Sequence, residues 1–176
     1  MLREVPRYSQ YLDVRNSFWQ SRSCGIVALK MVLDYWYSIH PLRIPPPSLP
    51  SLIRSAHVHG AYVRNVGWSH RGLVAEARHF GFKGSNFDWA SLSARAAFRK
   101  LLPLVLRGPV IASVYRNPQI KQGGHLVVIT SISRTHVHLL EPAAKSRARI
   151  SRNLTVSQFL RLWKQRIIVV RSRLRK

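Results

Sequence analysis

The chain has 176 residues, the size of one ordinary domain and long enough to bury a substantial core. Twenty-nine Lys and Arg against six Asp and Glu give a formal charge of +23 and a pI near 11.8. A hydrophobic fraction of 46%, with five Trp, six Tyr and six Phe, excludes a disordered basic tail. The basic residues are 22 Arg and 7 Lys spread over the whole length, so no basic arm hangs from a neutral body. Such a charge bears on solubility and nonspecific binding rather than on fold. It admits nonspecific contact with nucleic acid or an anionic surface, and it biases any groove toward acidic peptides. No Arg-rich helix face marks a specific nucleic-acid reader.

The single cysteine, Cys24, excludes an internal disulfide. Residues 1–6 lack an apolar run ahead of a small-residue cleavage site, so no signal peptide is expected. The longest apolar stretches, residues 101–106, 126–129 and 167–170, fall well short of the roughly 20 residues that span a bilayer. The expected location is cytoplasmic by default.

Residues 1–20 read as an aromatic, extended lead-in with Tyr8, Tyr11, Phe18 and Trp19. A helix follows over residues 25–37, with Ser21 or Ser23 as its N-cap and Cys24 at its N-terminal end. It is apolar nearly all round, interrupted only by Lys30 and Asp34, four apart as in an ion pair. A helix without a polar face is buried on most sides, so this is the central helix. Five prolines then stiffen residues 41–50. Helices are expected over 51–58, 69–80 (stopped by Gly81) and 91–106, the last with a kink at Pro103. The period then changes. Residues 108–115, 125–132 and 137–140 read as strands, with a polar loop over 117–124 and a turn at Ser133-Arg134-Thr135. A helix over 155–166, capped by Thr155, and a strand over 167–170 complete the chain. Helices first and antiparallel strands later argue an α+β fold, with a buried N-terminal helix packed on an antiparallel sheet in a single domain over 1–176.

A thiol at a helix N-terminus meets the positive end of the helix dipole and unpaired amides, both of which favour thiolate. Gly25 after it is expected to leave room for a substrate backbone. A nucleophilic cysteine needs a base, and the base an orienting acceptor. Of eight histidines, His57, His59, His70 and His79 sit beside arginines, and His40 precedes the prolines. His136 and His138 share a strand face, but no further cysteine and few carboxylates stand ready to complete a metal site. No metal or cofactor is expected. His125 follows Gly123-Gly124 and opens an apolar strand. A tight turn centred on Ser133 places it directly opposite Glu141, with Cβ atoms roughly 5 Å apart.

Taken in order, these segments resemble a family. Val5-Pro6-Arg7-Tyr8-Ser9-Gln10 is followed by Ser23-Cys24-Gly25-Ile26-Val27-Ala28-Leu29, then Gly108-Pro109-Val110-Ile111, Gly123-Gly124-His125-Leu126-Val127 and Leu139-Leu140-Glu141-Pro142. Together they are similar to the C39-like cysteine peptidases, over nearly the whole chain from Val5 to Val170. The resemblance implies a papain-like fold and a triad of Cys24 as nucleophile, His125 as base and Glu141 as orienting acid. Members usually carry Asp or Asn before that proline; Glu is one methylene longer. The resemblance also implies a glutamine as oxyanion donor. Gln10 matches by its place in the lead-in and is preferred; Gln20, four residues before Cys24, is its rival by proximity. The expected activity is hydrolysis of a peptide or amide bond in a peptide or protein substrate. An acyltransferase or amidase on the same fold is the alternative enzyme, and a polyanion-binding protein with a vestigial thiol site the alternative of another class.

Overall fold

The structure is a computed structural model, and it describes residues 4–117, 119 and 121–172. Residues 1–3 of the lead-in and Pro118 and Ile120 of the polar loop lie outside the described residues.

In chain order the elements are α1 (Ser17–Gln20), α2 (Cys24–Ile39), α3 (Leu49–Val58), β1 (Tyr62–Val63), β2 (Gly67–Trp68) and α4 (His70–His79). They continue with β3 (Lys83–Asp88), α5 (Ala94–Leu106), β4 (Val110–Val114), β5 (His125–Ile132), β6 (His136–Leu140), β7 (Ser151–Thr155), α6 (Val156–Leu162) and β8 (Trp163–Arg171). Six strands form one antiparallel sheet in the order β3-β8-β4-β5-β6-β7.

The sheet separates two apolar clusters. On one face α2 is buried among Leu52, Leu73, Phe82, Ile111 and Val128. On the other, Leu101 of α5 and Phe159 of α6 pack with Val110, Ala112, Ile129 and Leu139. Successive strand residues point to opposite faces, so β4 and β5 feed both clusters. Ile111 and Val128 go to one, Val110 and Ile129 to the other.

Helix starts follow the expected chemistry, with small shifts. Ser48, Ser69 and Ser93 each accept a first-turn amide through the side-chain hydroxyl. Ser93 rather than Ser91 therefore starts α5, and Pro103 is accommodated inside it. Lys30 and Asp34 do pair, and the Tyr8 hydroxyl also donates to Asp34 at 2.8 Å.

Three expectations are corrected. The helix expected over 155–166 ends at Leu162, after a Thr155–Gln158 capping box, and the chain continues as the nine-residue β8. β8 lies between β3 and β4; Trp163 pairs with Val114, and Arg166 with both Ser113 and Asp88, so sheet pairing outweighs the helical pattern of this segment. The edge strands β3 and β7 were not expected; each buries a single residue, Gly84 or Leu154, so neither alternates visibly. Finally, the β5–β6 register differs from a turn centred on Ser133. Ile132 pairs with Val137, and Ile129 with Leu139, with a bulge between Ile129 and Ser131. His125 and Glu141 are diagonal neighbours, not direct partners. The bulge is what keeps them on one face, because a shift of one residue exchanges the faces of a strand.

Candidate active site

Cys24 is the first residue of α2 and is half-buried at the floor of a cleft of about 580 Å³. Ser23 occupies the N-cap position, yet its hydroxyl makes no capping bond and is buried without a partner. This differs from the expected serine cap. It leaves the first-turn amides uncapped beside the thiol, the arrangement that attracts negative charge.

Gly25 also has a different role from the one expected. It is buried, and a Cβ there would meet Leu126 Cδ1 and Trp68 Cβ, both at 2.9 Å. The glycine lets α2 lie close on β5 and the Trp68 strand rather than opening space for a substrate. That close approach carries Cys24 to the first residue of β5, His125.

His125 is buried, at 8% exposure. Its Nε2 is hydrogen-bonded to Glu141 Oε1. Its Nδ1 is buried without a hydrogen-bond partner, and the imidazole interacts with the Cys24 thiol. Glu141 follows β6 and is itself fixed. Oε1 accepts the Ala143 amide at 2.9 Å, and Oε2 lies 3.8 Å from the Arg152 guanidinium. The Glu141 amide donates to the Ile150 carbonyl at 2.7 Å. The structure thus brings Cys24, His125 and Glu141 into one row.

The row is electrostatically coupled. Burial pushes the Cys24 thiol up, but His125, the Leu126 amide and the charge of Arg116 outweigh it, so its pKa lies below the usual thiol value. Burial disfavours charged His125, but the thiol and Glu141 together push it up to about 10. Burial likewise raises Glu141, and His125, the Ala143 amide and Arg152 reverse that and hold it below the usual carboxylate range. These shifts favour the charged form of each group: thiolate, imidazolium and carboxylate.

The two glutamines differ in what their side chains do. Gln10 is 1% exposed and lines a second cavity, of about 560 Å³, with His125 and Glu141. Its backbone amide donates to the Pro142 carbonyl at 2.7 Å, which ties the lead-in to the Glu141 segment. Its Oε1 is buried without a partner. Gln20 instead spends its side-chain amide on the Val14 carbonyl at 2.9 Å.

Several residues around the row carry no sequence signal. Arg152 reaches Glu141 only because β7 folds back beside β6, while the Ala143 amide reaches it through the turn two residues on. Arg116 and the Leu126 amide act on Cys24 through the β4–β5 connection. Trp68 sits over Gly25 and donates its indole N–H to the Arg22 carbonyl at 2.7 Å. Among the described residues no helix is long and apolar enough to cross a membrane.

Comparisons with known proteins bear on this arrangement. The model of the Peptidase C39 family matches residues 17–174. No curated protein matches the chain in sequence. A C39-like peptidase from Bacillus anthracis superposes with a TM-score of 0.68 at 15% identity, covering 97% of this chain and 96% of that one. A double glycine motif protease from an AMS/PCAT transporter, in complex with the leader peptide, gives 0.61 at 18% identity, covering 97% and 93%. The peptidase domain of Streptococcus ComA, a bifunctional ABC transporter involved in quorum sensing, gives 0.61 at 15% identity, covering 87% and 93%. These likenesses establish the fold, the papain-like one of C39 peptidase domains. With the family match over nearly the whole length, the chain belongs to the Peptidase C39 family of cysteine peptidases.

Proposed function

We propose that the chain is a single C39-like peptidase unit that hydrolyses a peptide bond through Cys24, His125 and Glu141. The observation that carries this reading is His125, held by Glu141 at Nε2, with Nδ1 left unpartnered and the ring interacting with a thiol of depressed pKa. Charged imidazole beside thiolate is the resting state from which such chemistry starts.

In the first step Cys24 Sγ attacks the substrate carbonyl carbon. The carbonyl electron pair moves to oxygen, which the Cys24 amide and the side-chain amide of Gln10 stabilise. The uncommitted Gln10 side chain favours it over Gln20 for this task. His125 then gives its Nδ1 proton to the leaving amine as the C–N bond breaks, leaving a thioacyl enzyme. Water, deprotonated by the now neutral His125, attacks that thioester, and Cys24 leaves as thiolate. Glu141 touches no reacting atom; it orients His125 and stabilises its charge.

The uncapped α2 amides and the depressed thiol pKa run against the reading of a vestigial, inert thiol. An amine in place of water as acceptor makes the same intermediate an acyltransferase, and product analysis with added amines separates the two.

The test is Cys24→Ala, with iodoacetamide labelling of the wild type followed as a function of pH. The variant should lose turnover and labelling, and the wild-type thiol should alkylate well below the ordinary thiol pKa of about 8.5. Peptide cleavage that survives in Cys24→Ala sinks the assignment.

A further inference from the structure

Two cavities flank His125: the cleft over Cys24, and the cavity that holds Gln10, Glu141 and Arg152. Among the described residues, only His125 and Arg116 line both. A peptide that runs from one cavity to the other across the thiol therefore passes Arg116.

Arg116 is exposed, and only the backbone around it is fixed. It lies two residues beyond β4, at the start of a connection closed by reciprocal backbone bonds between Asn117 and Gln122, each 3.0 Å. Gly123 returns in the left-handed region at φ 70°, and a Cβ there would stand 3.0 Å from Arg116 Cβ. The glycine thus lets the chain lie directly on the arginine stem. Among the described residues, nothing accepts from the Arg116 guanidinium.

The other charges of the cleft are committed. Arg22 donates to the Phe18 carbonyl at 2.9 Å and to Ser21 Oγ at 3.0 Å, and its guanidinium lies over the Phe18 ring. Arg166 donates to Asp88 at 2.8 Å, which occupies the one acid that lines the cleft among the described residues. Across the way Glu141 is taken by His125 and Ala143. Among the described residues, the path past the thiol therefore offers the unspent Arg116 guanidinium beside Cys24, the Lys145 ammonium over the Tyr11 ring in the second cavity, and no free carboxylate. A guanidinium presents five donors in a fork that fits a carboxylate.

We propose that Arg116 selects peptides carrying an Asp or Glu side chain beside the scissile bond. This rests on the peptidase reading above and names the substrate class for that site. The charge of Arg116 also favours the Cys24 thiolate, so its removal changes reactivity as well as recognition.

A comparison of paired substrates separates these effects. Fluorogenic peptides from a mixed-sequence library are made in pairs that differ only in Glu or Gln at one position beside the cleaved bond. Both members meet the same thiolate, so their kcat/KM ratio cancels any change in Cys24. The wild type should favour the Glu member about tenfold, the scale of one charge-assisted hydrogen bond. Arg116→Gln should bring the ratio close to one, and Arg116→Glu should favour a Lys member instead. A wild-type ratio near one, or a ratio that survives Arg116→Gln, overturns the proposal. So does a preference confined to a free terminal carboxylate over its amide, since the ligand is then a chain end. Should no peptide be cleaved, the peptidase reading fails separately, and binding to the Cys24→Ala protein decides this one. Tighter binding of the Glu member, lost when Arg116→Gln is added, upholds it; equal binding ends it.

Discussion

Glu141 stands one methylene farther out than an aspartate, and the structure absorbs that length by letting Oε1 serve two donors, His125 and the Ala143 amide. After the Cys24 thiol, it is the second group that raises His125. The consequence is visible in pH dependence. With the Cys24 pKa lowered and that of His125 raised to about 10, the ion pair exists from below the ordinary thiol range up to about 10. The kcat/KM profile should be a broad plateau over that window, its two limbs belonging to the coupled pair. Glu141→Gln keeps the shape but removes the charge. It should bring the alkaline limb down and lower kcat/KM by about a hundredfold, the lower end of the contribution of a positioned acid–base group. An unmoved alkaline limb would show that Glu141 does not act through His125. Cys24 and His125 were readable in the sequence because a helix start and a glycine-led strand are local patterns. Glu141 was readable as an acid before Pro142, but its geometry was not, because it depends on a bulge at Thr130 that no residue type announces.

The placement of α2 on the sheet decides whether the thiol reaches His125. Gly25 is a point of close approach, and two opposing terms act there. Alanine is preferred over glycine inside a helix by about 1 kcal/mol. The added methyl, however, meets Trp68 Cβ and Leu126 Cδ1 at 2.9 Å and Leu73 Cδ1 at 3.2 Å. Overpacking of this kind costs about 1–3 kcal/mol, so sterics should win. Gly25→Ala should lower the melting temperature by several degrees, and adding Leu126→Ala should recover part of the loss. A raised melting temperature in Gly25→Ala would mean that helix propensity dominates and α2 is not pinned there. The central helix was legible from its unbroken apolar run, because burial on all sides leaves no polar face. Why its second residue is glycine was not legible, since the groups it touches are 43, 48 and 101 residues away in sequence.

At the scale of the molecule, each of the six acids has a basic partner. Glu4 pairs with Arg7, Asp13 with Arg147, Asp34 with Lys30, Glu76 with His59, Asp88 with Arg166, and Glu141 with His125. Burial opposes ionisation of Asp13 and Glu141, but Arg147 and His125 reverse it, while the Ala90 amide and Arg166 lower Asp88. A group with a depressed pKa adds stability above its unfolded value, about 4, and that stability is lost as pH falls through the folded value. Acid also removes the only negative charges from a chain of +23. The melting temperature should therefore fall steeply below about pH 4. Added salt should raise it at neutral pH, because repulsion among 29 basic residues outweighs the screening of a few exposed pairs. A melting temperature that drops with salt would show that those pairs matter more than the repulsion.

Composition and periodicity alone determined the α+β class, the buried helix behind Cys24 and the strand opening at His125, while the ordered segments carried the resemblance to the C39 family. Each depends on neighbours a few residues apart, where local propensity and apolar spacing speak directly. Only the tertiary structure decided the edge strands, the run of β8 from Trp163, the face on which Glu141 lies and the isolation of Arg116 between two cavities. Each of these is set by pairing or packing between segments far apart in the chain, and their free energies exceed the weak local preferences that a sequence displays.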